Sequence, residues 1–132
     1  MLRYALASLA GGVLFLVLDG VLNANPLARR LLSPFAPIAR PSVNALAGSL
    51  LDLAYGFILA WLFLMLAPAL PGTTGHVKGL SFGLLVWFLR VFMSAAAQWV
   101  MFRLPAATLG YMLAAGLVEM LALGALWGGL LG

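Results

Sequence analysis

The stretch 43–67, VNALAGSLLDLAYGFILAWLFLMLA, decides the fold. It is apolar almost throughout and holds one charged residue, Asp52. At about 1.5 Å of rise per residue it is long enough to cross a hydrocarbon layer roughly 30 Å thick. A charge inside that layer costs roughly 2.5–3.5 kcal/mol on insertion scales, so Asp52 has to face a partner, a cavity or another helix.

Working outward, three further stretches have the same character: 4–22, 77–102 and 106–131. Two carry a charge deep inside, Arg90 in the third and Glu119 in the fourth, and Asp19 lies near the end of the first. The reading is an all-α membrane protein, a single domain over 1–132 built as a four-transmembrane-helix bundle with short loops. The chain has 132 residues, 65% hydrophobic and 8% charged, against about 25% charged in ordinary soluble domains. Mean hydropathy is +1.15. No stretch outside the four spans is long enough to bury a core of its own.

Local signals set the connections. Asn25 before Pro26 reads as an N-cap with proline at the first helical position. Leu27 to Ile38, with Arg29 and Arg30, reads either as an interfacial helix with its arginines toward the headgroups or as an ordinary connecting loop. Ser42 is the candidate N-cap of the second span, Pro68 ends it, and Pro105 marks the start of the fourth. Two or three residues between spans three and four make those helices antiparallel neighbours. Arg3 and the apolar run to Leu18 have the outline of a signal peptide cleavable after Ala24. The length of the run and the interruption at Asp19 favour a retained helix.

The net charge of +4 and a pI near 10.4 do not point to nucleic acid. Arg3, Arg29, Arg30, Arg40, Lys78 and Arg103 all fall at span ends or in connections, where lipid headgroups and topology place them. Arg29, Arg30 and Arg40 are the expected headgroup contacts. Arg103 shares their side, while Arg3 and Lys78 lie opposite, so the positive-inside rule puts both termini outside. Six Arg against one Lys, in an Ala-, Leu- and Gly-rich chain, looks like a GC-rich bacterial genome, and the expected location is a bacterial inner membrane. With no cysteine there is no disulfide, thiolate or iron–sulfur chemistry. One histidine, His76, cannot build a zinc or iron site within the chain, so no metal or other cofactor is expected. No nucleophile–base pair suggests hydrolysis, and no catalytic residue is assigned.

Helical spacing collects the polar groups. Asn44, Gly48, Asp52, Gly56 and Ala60 form one stripe of the second span, and Ser8, Gly12, Phe15 and Asp19 one of the first. Gly83, Trp87, Arg90, Ser94 and Gln98 share a face of the third; Met112, Ala115, Gly116, Glu119 and Ala122 share one of the fourth. Small residues beside each polar group turn all four stripes inward. Depth makes Asp52, Arg90 and Glu119 an intramembrane cluster, with Arg90 paired to Glu119 and Asp52 a second acceptor. Asp19, Gln98 and Arg103 form a set at the cytoplasmic boundary, Asp19 reaching Arg103 or Gln98. Glycines 12, 48, 56, 83 and 116 read as packing devices. Trp61, Trp87, Trp99, Trp127, Tyr4 and Tyr111 read as partly interfacial, with Trp61 and Trp87 as alternatives for the bundle interior.

The run Leu14-Phe-Leu-Val-Leu-Asp-Gly-Val-Leu22, followed by Asn25-Pro-Leu-Ala-Arg-Arg-Leu-Leu32, resembles a widespread uncharacterised family of small bacterial four-helix membrane proteins. Asn44 to Pro68, with Tyr55-Gly56, is similar in layout to that family's second helix. The likeness covers roughly the first half and implies a fold without an activity. In the second half Arg90 and Glu119 stand where that family's acidic and asparagine motifs would be. The chain also resembles the small multidrug-resistance proteins in size and helix count, but lacks their acidic residue in the middle of helix one. The expected function is a non-enzymatic accessory or assembly subunit, packed against a larger membrane complex or itself. The alternatives are a small oligomeric transporter or channel using Asp52, Arg90 and Glu119, and a lipid-modifying enzyme using the interfacial arginines.

Overall fold

The structure, a computed structural model, describes residues 2–38 and 45–131. Within them the chain is helical, and four helices are long and apolar enough to cross a membrane. Helix α1 is Leu2–Ala24 and the short α2 is Pro26–Leu31, followed by a 3-10 segment, Ser33–Ile38. Helix α3 is Ala45–Leu66, α4 is Gly75–Met101 and α5 is Ala106–Leu131. The first span is thus longer at both ends than expected, and the third starts two residues earlier. Ser42, Asn44 and Arg40 lie outside the described residues.

The helix ends follow from side-chain chemistry. Asn25 closes α1 and opens α2 at once. Its Nδ2 donates to the carbonyls of Val21 and Leu22, at 2.8 and 3.1 Å, while its Oδ1 accepts the Ala28 amide at 2.8 Å. Thr74 caps α4 by accepting the Val77 amide at 3.3 Å, which explains the earlier start. Between α3 and α4 the chain turns at Gly72, whose φ of 121° is open to glycine at no steric cost.

Helix α1 is the hub. It packs against α3 on one side and α5 on the other, and α5 in turn carries α4. Both close pairs are made by glycine. A Cβ on Gly56 would run into the backbone of Gly12 and the Ser8 carbonyl, joining α3 to α1. In α4, Gly75, Gly79 and Gly83 meet Gly128, Gly124 and Met120 of α5 backbone to backbone. Such contact replaces the hydrophobic drive that lipid cannot supply between apolar helices.

The packing is unequal along the bundle axis. Toward the chain termini it is closed around Phe63, Phe82, Leu123 and Trp127, all nearly fully buried. Phe63 and Phe82 join α3 to α4 edge to face, ring centroids 5.4 Å apart, and Trp127 donates its indole N–H to the Ala7 carbonyl at 3.1 Å. From mid-bundle toward the other end lie the charged side chains of the spans, Asp19, Asp52, Arg90 and Glu119.

Candidate functional site

In α4 the backbone changes pitch over Trp87–Phe92, where the hydrogen bonding is π-helical. One extra residue enters that turn, so the face packed on α5 passes from Gly79, Gly83 and Val86 to Val91 and Ala95 with a step of five. Val91 fills the space left by Gly116 of α5. The continuous stripe Gly83–Trp87–Arg90–Ser94–Gln98 expected from a regular helix is therefore broken. Arg90 leaves the α4–α5 seam and turns toward α1 and α3.

There its guanidinium carbon stands 5.2 Å from the ring centroid of Phe15 in α1 and 4.8 Å from that of Tyr55 in α3. The two rings meet edge to face at 5.5 Å. A cation over aromatic faces is attracted by the ring quadrupole, more strongly where water is scarce. The expected Arg90–Glu119 ion pair is not formed: among the described residues Arg90 makes no ion pair with any carboxylate. The reason is geometric, since the π turn aims the side chain at the aromatic pair.

Arg90 and Glu119 nevertheless line one cavity of about 390 Å³, together with Asp19, Tyr55, Ser94 and Tyr111. Glu119 is 5% exposed and accepts no hydrogen bond from a described residue. Asp52, 8% exposed, faces a neighbouring cavity of about 370 Å³ between α1 and α3. Asp19 borders both cavities and lines the second together with Asp52. It thus belongs with the central cluster and not with the boundary set. Asn23, one turn further along α1, donates to its Oδ1 at 2.9 Å. The expected contact of Asp19 with Arg103 or Gln98 is replaced by this local bond, for which the i, i+4 spacing was the available signal. Gln98 donates to Ser94 at 3.5 Å, and Arg103 is exposed in the short α4–α5 connection.

Beside the cavity the α1–α2 corner is braced against α5. Tyr111 of α5 donates to the Leu22 carbonyl and accepts from Asn25, and Thr108 donates to the Leu31 carbonyl. Leu32 reaches the cavity edge. Tyr111 is therefore an internal brace; its place in the second turn of a span gave the same signal as a belt residue. Trp127 is 1% exposed and belongs to the core, Trp87 donates inward to the Leu113 carbonyl at 2.9 Å, and Trp61 faces outward. Arg29 and Arg30 project from α2 into the surroundings.

What the site can do follows from its contents. It presents the carboxyls of Asp19 and Glu119 and the guanidinium of Arg90 on one cavity, with Asp52 on the neighbouring one. Among the described residues no three ligating side chains converge on a point that would hold a metal ion. No family model matches the chain, and neither the curated proteins nor the solved structures searched contain a match.

Proposed function

We propose that this integral membrane protein is a small carrier that admits a polar solute from one membrane face to a mid-membrane site formed by Asp19, Arg90 and Glu119. The observation that carries the reading is the cavity of about 390 Å³ with a nearly buried Glu119 at its wall that accepts no hydrogen bond from a described residue. Charged groups kept for helix registry alone would be expected to close on one another, because an unpaired buried charge is strongly destabilising. Groups facing open polar space at this depth are the usual mark of a solute or ion path. The site would need no bond-making chemistry, and no catalytic role is given to any residue.

Orientation belongs to the same proposal. On this reading the cavity, lined by Asn23, Leu32 and Tyr111 at the end that carries Arg29, Arg30 and Arg103, is entered from that end, which the positive-inside rule assigns to the cytoplasm of a bacterial inner membrane, with both termini outside. Arg29 and Arg30 would then lie among anionic headgroups. The accessory-subunit reading keeps one supporting feature: α3 and α4 are joined closely only near their connection, so the bundle offers a seam that a larger partner or a second copy would cover.

Solid-supported-membrane recording on proteoliposomes tests the carrier. Pools of small polar solutes are applied, and a transient current that disappears in Glu119→Gln is expected. The absence of any Glu119-dependent current, from protein shown to be folded by circular dichroism, would return the accessory reading to first place.

A further inference from the structure

We infer that the π turn of α4 is a register switch, by which Arg90 exchanges the rings of Phe15 and Tyr55 for the carboxyl group of Glu119. The switch stands apart from the carrier reading, because it concerns two packings of one helix whatever the cavity admits. A π turn holds one residue more than the same length of α-helix, and it persists only where packing favours it. In α4 that turn is Trp87–Phe92, anchored at its start by the Trp87 indole N–H on the Leu113 carbonyl at 2.9 Å. Passing the extra residue on to the helix end rotates everything beyond the turn by about 100° and shifts it by about 1.5 Å. Arg90 then takes the place of Val91 against α5, Ser94 that of Ala95, and Ala97 that of Gln98.

The second packing meets no steric bar. Gly116, which now receives Val91, has no side chain to obstruct the Arg90 stem. Ser94 and Ala95 are nearly the same size. Glu119 lies three residues along from Gly116 on the same buried face of α5, so a guanidinium on that stem meets its carboxyl group. The segment that moves is lightly held: of Met93–Met101 only Ala95 is buried, and the chain leaves the helix at Phe102 in extended form. The present register also carries a cost that the second removes. Oε1 of Gln98 is buried without a hydrogen-bond partner, and an enclosed, unpaired acceptor is destabilising. Rotation brings Ala97 to that place and takes Gln98 out of it. Against this, the present register holds Arg90 over two aromatic rings, at 5.2 and 4.8 Å. Each register offers Arg90 a partner and neither satisfies every group, which is the condition for a bistable element.

Electron–electron double resonance between two spin labels reads the rotation in a chain that has no native cysteine. Val100→Cys with Leu46→Cys puts labels at exposed positions beyond the turn and at the start of α3. Val77→Cys with Leu2→Cys does the same before the turn and at the start of α1. A rotation of about 100° displaces a label on the helix rim by on the order of 10 Å. Tyr55→Met, which removes one ring, should raise the second Val100–Leu46 distance about tenfold in population over the otherwise native chain. Adding Glu119→Leu should remove that distance again, and the Val77–Leu2 distance should stay single throughout. Phe15→Met takes the place of Tyr55→Met should circular dichroism show the latter unfolded. A single Val100–Leu46 distance in the ring variants overturns the switch. So does a second distance that survives Glu119→Leu, which would be fraying of the helix end. A second distance at Val77–Leu2 as well would mean that the whole helix tilts, and overturns it equally.

Discussion

At the scale of single residues, the polar interior is organised by side chains that each serve two elements. Tyr111 is the clearest, because its hydroxyl satisfies the Leu22 carbonyl at the end of α1 and takes a hydrogen from Asn25. Tyr111→Phe leaves two half-buried polar groups without their partner, at a cost of about 1–3 kcal/mol. Tyr4→Phe, which removes a bond to the Phe57 carbonyl near the surface, should cost less. Thermal unfolding of both variants in detergent decides it, and equal losses would remove the brace from Tyr111. Arg90 serves α1 and α3 in the same way. Arg90→Leu and Tyr55→Leu should couple in a double-mutant cycle by about 1–2 kcal/mol, the range for a desolvated cation over a ring. Strict additivity would show that the guanidinium finds its stabilisation elsewhere. The sequence exposed Asp19, Asp52, Arg90 and Glu119 as residues needing a reason to lie at that depth, and the structure puts Asp19, Arg90 and Glu119 on one cavity. It did not reveal Arg90's partners, since Phe15 and Tyr55 are as ordinary in a lipid-spanning helix as in a cation site.

At the scale of elements, the four spans were readable because length and hydropathy are one-dimensional properties. The contacts between them were only partly so. Periodicity assumes one pitch throughout a helix, and the π turn at Trp87–Phe92 breaks that assumption by a single residue. Every face assigned beyond it is then rotated, which is why Val91 and Ala95 replace Arg90 and Ser94 on α5. Glycine spacing, by contrast, was visible at Gly75, Gly79 and Gly83 and at Gly124 and Gly128, although the expectation rested on a different set. Of that set, Gly48 faces open space, while Gly12, Gly56, Gly83 and Gly116 are close contacts. The distinction is measurable. Gly79→Ala would press a methyl into the Gly124 carbonyl, where neither backbone can give way cheaply, and should cost about 1–3 kcal/mol. Gly20→Ala and Gly110→Ala meet nothing and should gain a few tenths of a kcal/mol, up to about 1, from helix propensity. Unfolding in mixed detergent, followed by circular dichroism, separates the two groups. A neutral Gly79→Ala would mean that α4 and α5 are farther apart than described.

At the scale of the whole molecule, the two halves of the bundle have different tasks. The half near the termini is closed by aromatic and glycine packing, and Arg3 ties the two ends of the chain together by donating to the Leu130 carbonyl at 2.6 Å. Both termini therefore share a side, and the α1–α3 and α4–α5 connections share the other. On the carrier proposal the cavity is a vestibule open at the α1–α2 corner, and that makes a directional prediction. On that proposal its mouth is on the same side as Arg29, Arg30 and Arg103, the side that the positive-inside rule assigns to the cytoplasm. The absence of native cysteine allows a clean test with one introduced thiol. Ser94→Cys, on the cavity wall, should react with a charged, membrane-impermeant thiol reagent in inside-out vesicles and stay unreactive in intact spheroplasts. Val118→Cys, on the outward face of α5, should react in neither, because thiolate does not form in hydrocarbon. A periplasm-active reporter fused after Leu131 should be active, and the same reporter inserted after Arg30 silent. Reaction of Ser94→Cys from the side of the termini would reverse the vestibule. An active reporter after Arg30 would reverse the chain's orientation while leaving the site intact, so the two measurements together separate where the cavity opens from which way the protein sits.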